Sequence, residues 1–362
     1  MFGTFLRLLL VIHAFSGTEG QTLTLETTYG NVPGYGYALL GEIEVDGQTM
    51  HALIDTGTSA FFLVWDYWFR ATHYLPICNY PNIGYYKCPG PCVPSTISTI
   101  TYVDQTTVDI FGHQGTLQHR GAVVGTVKFG LVVGHESPDD SPPFHSIGLG
   151  RQVNPGYPSL RAQLQGSGIS DVFALYLIGV QGVGLVKGRL VLGGGDPSVY
   201  TAPLTYISLE QQSLYAVRLA TVQVGGGIKT VGINQPAVFD TGAEGLFVPK
   251  FHFDDLIKAI IDQVSLAAGT KVAFTWVSAL SIYTFDCTYL PSLPPIELGL
   301  GHAGQAPIVF SNYARMTGDT CSLAITDDSN QFWTLPPSIL IGNYFQFEPR
   351  NGHVGVAPLR SR

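Results

Sequence analysis

In two stretches of this chain apolar and polar residues alternate singly, the two-residue period of a strand with one face buried. Residues 37–54 show it most plainly. Within them Gly41-Glu42-Ile43-Glu44-Val45-Asp46-Gly47-Gln48 reads as a β-hairpin that turns at Asp46-Gly47, a pair suited to the positive φ of a tight turn. Thr221-Val222-Gln223-Val224-Gly225 repeats the pattern in the second half. Residues 99–133, rich in Thr, Val, Ile and Gly, read as further strand, and Leu190-Val191-Leu192-Gly193-Gly194-Gly195-Asp196 as a strand entering a turn. Helical spacing occurs twice. Pro158-Ser159 caps a short helix through Leu164, ended by Gly166, and Asp254-Asp255 opens a longer one carrying Leu256, Ile257, Ile260, Ile261 and Val264. The pattern predicts a mainly β protein with few short helices.

Two apolar runs are broken by the same tripeptide. Ala52-Leu53-Ile54 leads into Asp55-Thr56-Gly57 and leaves through Phe61-Phe62-Leu63-Val64; Ala237-Val238-Phe239 leads into Asp240-Thr241-Gly242 and leaves through Leu246-Phe247-Val248. A carboxylate between buried strands is costly unless its position has a purpose. Repetition of the frame as well as the triplet suggests a diverged duplication in which each half brings one acid. Two carboxyls held together cannot both ionise cheaply, so they share a proton. Across a water, such a pair can take a proton from the water and give one to a carbonyl oxygen. That chemistry cleaves an amide without metal, cofactor or covalent intermediate, and it is the handling of protons known from aspartic proteases.

With 362 residues, 45% of them hydrophobic, the chain can bury one large core or two medium ones. Its net charge of -8 argues against nucleic acid or an anionic membrane as partner. Residues 1–20 read as a secretory signal, with Arg7 before Leu8-Leu9-Leu10-Val11-Ile12 and small residues at Ala14, Ser16, Gly17 and Gly20. Five cysteines fit an oxidising compartment. Cys88 and Cys92 flank a Pro-Gly-Pro turn and can pair, although Cys78 can pair with either; Cys287 and Cys321 most simply pair with each other. A metal site on the first three has only His73 nearby as a further ligand, and no His-Glu-x-x-His cluster occurs, so no metal is expected.

These motifs together resemble the pepsin-like (A1) aspartic endopeptidases. The likeness lies in Tyr37-Ala38-Leu39-Leu40-Gly41 ahead of Asp55, in Phe144-His145-Ser146-Ile147-Gly148-Leu149-Gly150, and in Gly193-Gly194-Gly195-Asp196 before Tyr200-Thr201. It continues in Ile339-Leu340-Ile341-Gly342-Asn343 and Gly352-His353-Val354-Gly355-Val356-Ala357. The resemblance implies two β-rich lobes around a central cleft, residues 21–199 carrying the first Asp and 200–362 the second. It makes Asp55 and Asp240 the catalytic pair, with Gly57 and Gly242 in their loops and Thr56 and Thr241 cross-linking those loops. It implies that Ser59 bonds the outer oxygen of Asp55, that Tyr102 is the tyrosine of a flap closing over substrate, and that Cys287 and Cys321 form the second-lobe disulfide.

The departures from the family pattern are specific. Val103-Asp104-Gln105 stands where a Gly-rich flap tip is usual, and Phe62 where a Trp would bond the flap tyrosine, Trp65 being out of register. Ala243 replaces a hydroxyl residue that would favour the charged form of Asp240, which predicts raised pKa values and activity at higher pH. Glu244 replaces a small hydroxyl residue; lining the cleft, it would favour basic substrate side chains. Asn343 stands where Asp is common, and the closing segment after it is short. Residues 21–36 contain no Lys or Arg, where relatives carry a basic pro-segment. The expected function is a secreted, monomeric aspartic endopeptidase acting on extended, largely apolar polypeptide segments. The alternative is a catalytically impaired homologue that binds peptide or protein through the same cleft.

Overall fold

A computed structural model describes residues 21–72, 83–152, 157–179, 185–201 and 203–360. The proposed signal, Cys78 and His73 lie outside them. The architecture is mainly β, as the alternation predicts. A 13-stranded sheet runs in the order 205–208, 353–358, 343–348, 173–178, 186–192, 23–32, 36–45, 48–55, 146–148, 61–64, 122–136, 107–119, 97–101. Strands from both sides of residue 200 share it. A 7-stranded sheet (306–310, 296–300, 216–224, 230–239, 333–335, 246–249, 325–328) and a 4-stranded one (275–277, 282–286, 320–323, 314–317) hold the rest.

The first hairpin forms as read. Val45 pairs with Gln48 across Asp46 (φ 50°) and Gly47 (φ 71°), the two left-handed residues a two-residue turn requires. Ile43 and Val45 are buried while Glu42 is exposed, so alternation chose the face. The short helix is Leu160–Leu164, but Ser159 makes no side-chain cap. The longer helix begins at Lys250, four residues ahead of Asp254, and runs to Ala268. Pro249, with φ −52°, starts it, and Phe253 joins Leu256, Ile257, Ile260 and Val264 on the buried face, leaving Ile261 only partly covered. Gly269, at φ 64°, ends it. A third helix, Asp66–Thr72, was not anticipated; it buries only Phe69.

Both triplets sit in the same weave of strands. Gln48–Asp55 runs parallel to Ser146–Gly148, which lies antiparallel to Phe61–Val64, itself parallel to Ala122–Glu136. In the second half Thr230–Phe239 runs parallel to Trp333–Leu335, which lies antiparallel to Leu246–Pro249, itself parallel to Ile325–Asp328. The duplication inferred from two tripeptides therefore extends to strand direction and pairing. Cys88 is bonded to Cys92 and Cys287 to Cys321. No helix among the described residues is long and apolar enough to cross a membrane.

Arg161 braces the first weave from beneath. Its guanidinium, 8% exposed with the rest of the residue, donates to the Leu149 carbonyl at 2.9 Å and the Gly150 carbonyl at 3.0 Å, and pairs with the buried Asp171. The amides of Leu149 and Gly150 in turn hold the Asp55 carbonyl at 2.7 Å and the Thr58 carbonyl at 2.6 Å. Removing one partner of such a buried pair strands a charge, so Arg161→Ala should lower unfolding free energy by about 3–5 kcal/mol. Arg161→Lys, which lacks the planar fork, should recover only part. Urea denaturation measures both, and a loss below about 1 kcal/mol for the alanine variant would show that the brace is dispensable.

Candidate active site

Asp55 closes its strand and Asp240 directly follows Phe239, so the weave delivers both carboxyls to one place. The loops are tied by a reciprocal set of hydrogen bonds. The Thr56 amide donates to Thr241 Oγ1 and the Thr241 amide to Thr56 Oγ1, each at 3.0 Å. The two hydroxyls donate onward across the junction, Thr56 to the Phe239 carbonyl at 2.8 Å and Thr241 to the Ile54 carbonyl at 2.6 Å. All four bonds are buried, and each hydroxyl both accepts and donates, a capacity valine at the same volume lacks.

The glycines explain the closeness of the acids. A Cβ on Gly57 would stand 2.6 Å from Asp240 Oδ1, and one on Gly242 would stand 2.8 Å from the Asp55 carboxyl carbon. Each triplet's glycine thus leaves room for the other triplet's acid. Gly57 and Thr58 amides donate to Asp55 Oδ1 at 2.8 and 3.2 Å, and the Gly242 amide to Asp240 Oδ1 at 3.0 Å. Each carboxyl thus lies against the other triplet's loop. Burial pushes the proton affinity of both above the ordinary carboxylate range, and for Asp55 the neighbouring Asp240 charge adds to it; the amide donors only partly oppose this. The pair therefore holds one proton between them at a pH where an exposed aspartate holds none.

The remaining sequence-marked residues fall into place unevenly. Ser59 is buried, yet the Asp55 carboxylate receives backbone amides rather than the Ser59 hydroxyl. Thr58, the counterpart of Ala243, uses its hydroxyl to accept from the Ala60 amide at 3.2 Å. Tyr102 follows strand Ile97–Thr101 at the tip of a hairpin, with Val103 fully outside and Asp104 accepting from the Thr106 amide at 2.9 Å. Its ring packs edge-on against Phe144 at 5.7 Å, and Phe144 also meets Phe62 at 5.6 Å. Its buried hydroxyl makes no hydrogen bond of full geometry, Ser146 being the polar group beside it. Burial, with the Asp55 carboxylate nearby, keeps that phenol protonated. Trp65 cannot replace the missing tryptophan. It lies on the opposite face of its strand, edge-on to Phe111.

Glu244 does not present a free carboxylate. Arg315, which the sequence reading passed over, bonds its Oε2 at 3.0 Å and also its backbone carbonyl, while the guanidinium lies 4.8 Å over the Tyr37 ring. Expected preference for basic substrates through Glu244 is weakened accordingly, because a cation already holds that charge. Arg315 lies seventy-one residues away, and no spacing rule connects the two. Asn343 is buried and donates its amide to the Val309 and Ile339 carbonyls at 3.0 and 2.8 Å. An ionised aspartate there could donate nothing, which accounts for the amide. A cavity of about 540 Å³ lined by Trp68, Thr99, Asp109 and His135 contains neither acid.

The family model for eukaryotic aspartyl proteases matches residues 94–359, and the chain belongs to that family. Asp240 and Tyr102 lie inside the matched stretch; Asp55 precedes it and is placed by the strand weave. Among similar proteins, Mus musculus renin-2 is 26% identical over 199 residues, covering 52% of this chain and 45% of that protein. Mus musculus napsin-A is 32% identical over 145 residues, 40% of this chain and 31% of that protein. Canis lupus familiaris renin is 22% identical over 370 residues, 95% and 83% respectively. The chain thus spans less than half the length of the first two.

His145 is a second residue whose role only the fold reveals. Fully buried, it accepts the Val64 amide on Nδ1 at 2.9 Å and donates from Nε2 to the Gly84 carbonyl at 3.0 Å, while its own carbonyl accepts the Leu53 amide at 2.9 Å. Through its ring and its own carbonyl, this one residue ties together the strands on either side of the first Asp-Thr-Gly. Protonation would set an N–H against the Val64 N–H, and burial lowers its pKa to about 4. The unfolded chain takes up this proton near pH 6.5, the native chain near 4, so stability present above 6.5 is lost as pH falls between them. The loss is on the order of 3 kcal/mol. The acid pair has the opposite sign, favouring the folded state below the unfolded aspartate pKa and losing that contribution as pH rises. The His145 contribution therefore rises with pH between about 4 and 6.5, and His145→Gln should remove it, making the measured pH dependence of unfolding free energy less positive over that range; an unchanged dependence would show that His145 contributes nothing to it.

Proposed function

We propose that the chain is a secreted aspartic endopeptidase that hydrolyses peptide bonds in extended, largely apolar polypeptide segments. In this reading residues 21–199 and 200–362 form two lobes, each supplying one acid, and the protein acts as a monomer without cofactor. The observation that carries it is the closeness of Asp55 and Asp240 on loops held by the reciprocal Thr56–Thr241 bonds. A water between the carboxyls would lose a proton to the ionised one and attack the scissile carbonyl carbon. The protonated acid would meanwhile donate to the carbonyl oxygen, giving a neutral tetrahedral diol. The newly protonated acid would then give its proton to the departing nitrogen while the other carboxylate takes one from a diol hydroxyl, breaking the C–N bond, releasing a carboxylic acid and an amine, and restoring the pair to its starting state. Main-chain hydrogen bonds to an extended substrate fit a hairpin whose tip is Tyr102-Val103-Asp104, although its bulk and charge differ from the family's glycine-rich tip. Disulfides and the N-terminal leader pattern support passage through an oxidising secretory route.

Cleavage of a denatured protein from acidic to neutral pH tests this directly. Asp55→Asn or Asp240→Asn should each lower kcat by about 10²- to 10⁴-fold, since either removes one proton-transfer role. A folded wild-type chain that cuts nothing at any pH, yet retains peptide in a binding assay, would establish the alternative of a catalytically impaired peptide binder. Ala243→Thr supplies a hydroxyl able to donate to ionised Asp240, so it should move the acid limb of the kcat/KM profile to lower pH. An acid limb that stays in place would separate the raised proton affinity from this position and leave burial alone as its cause.

A further inference from the structure

A second cluster of reactive side chains lies away from the acids. Cys88 and Cys92 bracket the exposed Pro89-Gly90-Pro91 turn, and His113, from the Thr107–His119 strand, packs against them. Its Nδ1 stands 3.6 Å and its Nε2 3.9 Å from Cys92 Sγ, and the two sulfurs and an imidazole nitrogen all lie within 4.8 Å of one another.

The surrounding bonds determine which nitrogen faces the sulfurs with a lone pair. Asp46 locks its carboxylate on the Thr116 amide at 2.8 Å and accepts the Tyr86 hydroxyl proton at 2.6 Å. That hydroxyl has no second proton, so its 3.1 Å contact with His113 Nε2 requires Nε2 to be the donor. In the neutral ring Nδ1 is then bare. A histidine with Nε2 held by an acid-anchored hydroxyl and Nδ1 bare beside two sulfurs has the hydrogen bonding of a metal-binding histidine, and a small rotation of the ring would aim Nδ1 at them. Spacing agrees: two cysteines with three residues between them suit a tetrahedral zinc, whose bonds of about 2.3 Å to sulfur and 2.0 Å to nitrogen span the observed separations once the disulfide is opened and the side chains move. The turn can move, since Gly90 has no neighbouring atoms where a Cβ would stand.

We propose that Cys88, Cys92 and His113 form a redox-gated site for a thiophilic divalent cation, closed as a disulfide and opened by a thiol reductant to bind Zn²⁺. Two electrons and two protons from two reductant thiols would convert the disulfide to two cysteine thiols, the reductant leaving as its own disulfide. Zinc would then displace the two thiol protons to solvent, forming two Zn–S bonds and one Zn–Nδ1 bond, with water completing the tetrahedron. Neighbouring sequence offered no third ligand for these cysteines except His73; the ligand comes from a strand twenty-one residues beyond Cys92.

Cobalt(II) serves as the optical probe, using the full chain with Cys78→Ser so that this thiol cannot contribute. Reduced with a phosphine under anaerobic conditions and checked by circular dichroism, the protein should bind one equivalent of Co²⁺ with tetrahedral visible bands and thiolate charge transfer. Excess Zn²⁺ should erase them, and the oxidised protein should show none. Tyr86→Phe, which frees the far nitrogen, should weaken binding by about 10- to 100-fold, and His113→Ala at least as much. Cys88→Ser/Cys92→Ser should abolish the signal even though Cys287 and Cys321 are also reduced. A folded reduced chain without the bands, a signal that survives the double serine variant, equal affinity without His113, or unfolding upon reduction would each overturn the site.

Discussion

Two carboxyl groups share one buried place in this molecule, and most of the structure around them answers the cost of that arrangement. Burial and mutual repulsion would drive them apart or neutralise both. Four hydrogen bonds between Thr56, Thr241, Ile54 and Phe239 prevent separation, and every one crosses between the two halves of the chain. Amides from Gly57, Thr58 and Gly242 stabilise the remaining negative charge without neutralising it. The result is a pair that keeps one proton, which is the condition for using one acid as donor and the other as acceptor.

Behind this junction the support is unequal. The first half is braced by groups that are expensive to bury: the Arg161 guanidinium, satisfied by two carbonyls and Asp171, and the neutral His145 ring, satisfied at both nitrogens. The second half uses the Asn343 amide on two carbonyls and a largely apolar packing of Phe239 against Phe345 and Phe347. Equivalent strand weaves thus tolerate different chemistry, provided each loop's carbonyls find donors. His145 and the acid pair place opposing pH slopes on the same few strands, so each offsets part of the other's effect on stability.

The Tyr102 hairpin is held by aromatic packing. The Tyr102 ring meets Phe144, which in turn meets Phe62, while its hydroxyl has no hydrogen-bond partner among the described residues. The side chain is thus held by contact area rather than by a directed bond. Glu244 is held differently, since its charge is absorbed by Arg315 and the Tyr37 face rather than offered outward.

Strand content, the first hairpin, the core faces and both acid triplets were legible in the sequence, because alternation, a two-residue turn and a repeated tripeptide are local signals. The pairing of Cys287 with Cys321 was legible from their isolation. Local signals also misled, as where Asp254-Asp255 suggested a helix start that Pro249 in fact sets. Only the tertiary structure decided which distant residues complete each site. Arg315 on Glu244, Arg161 beneath Leu149 and His113 beside Cys92 are joined by strand pairing across tens of residues, and single charged or aromatic side chains carry no periodicity that announces such partners. The sequence by itself determined that two acids would be carried on matching buried loops; burial, and the absence of water to satisfy them, determined which other side chains had to come with them.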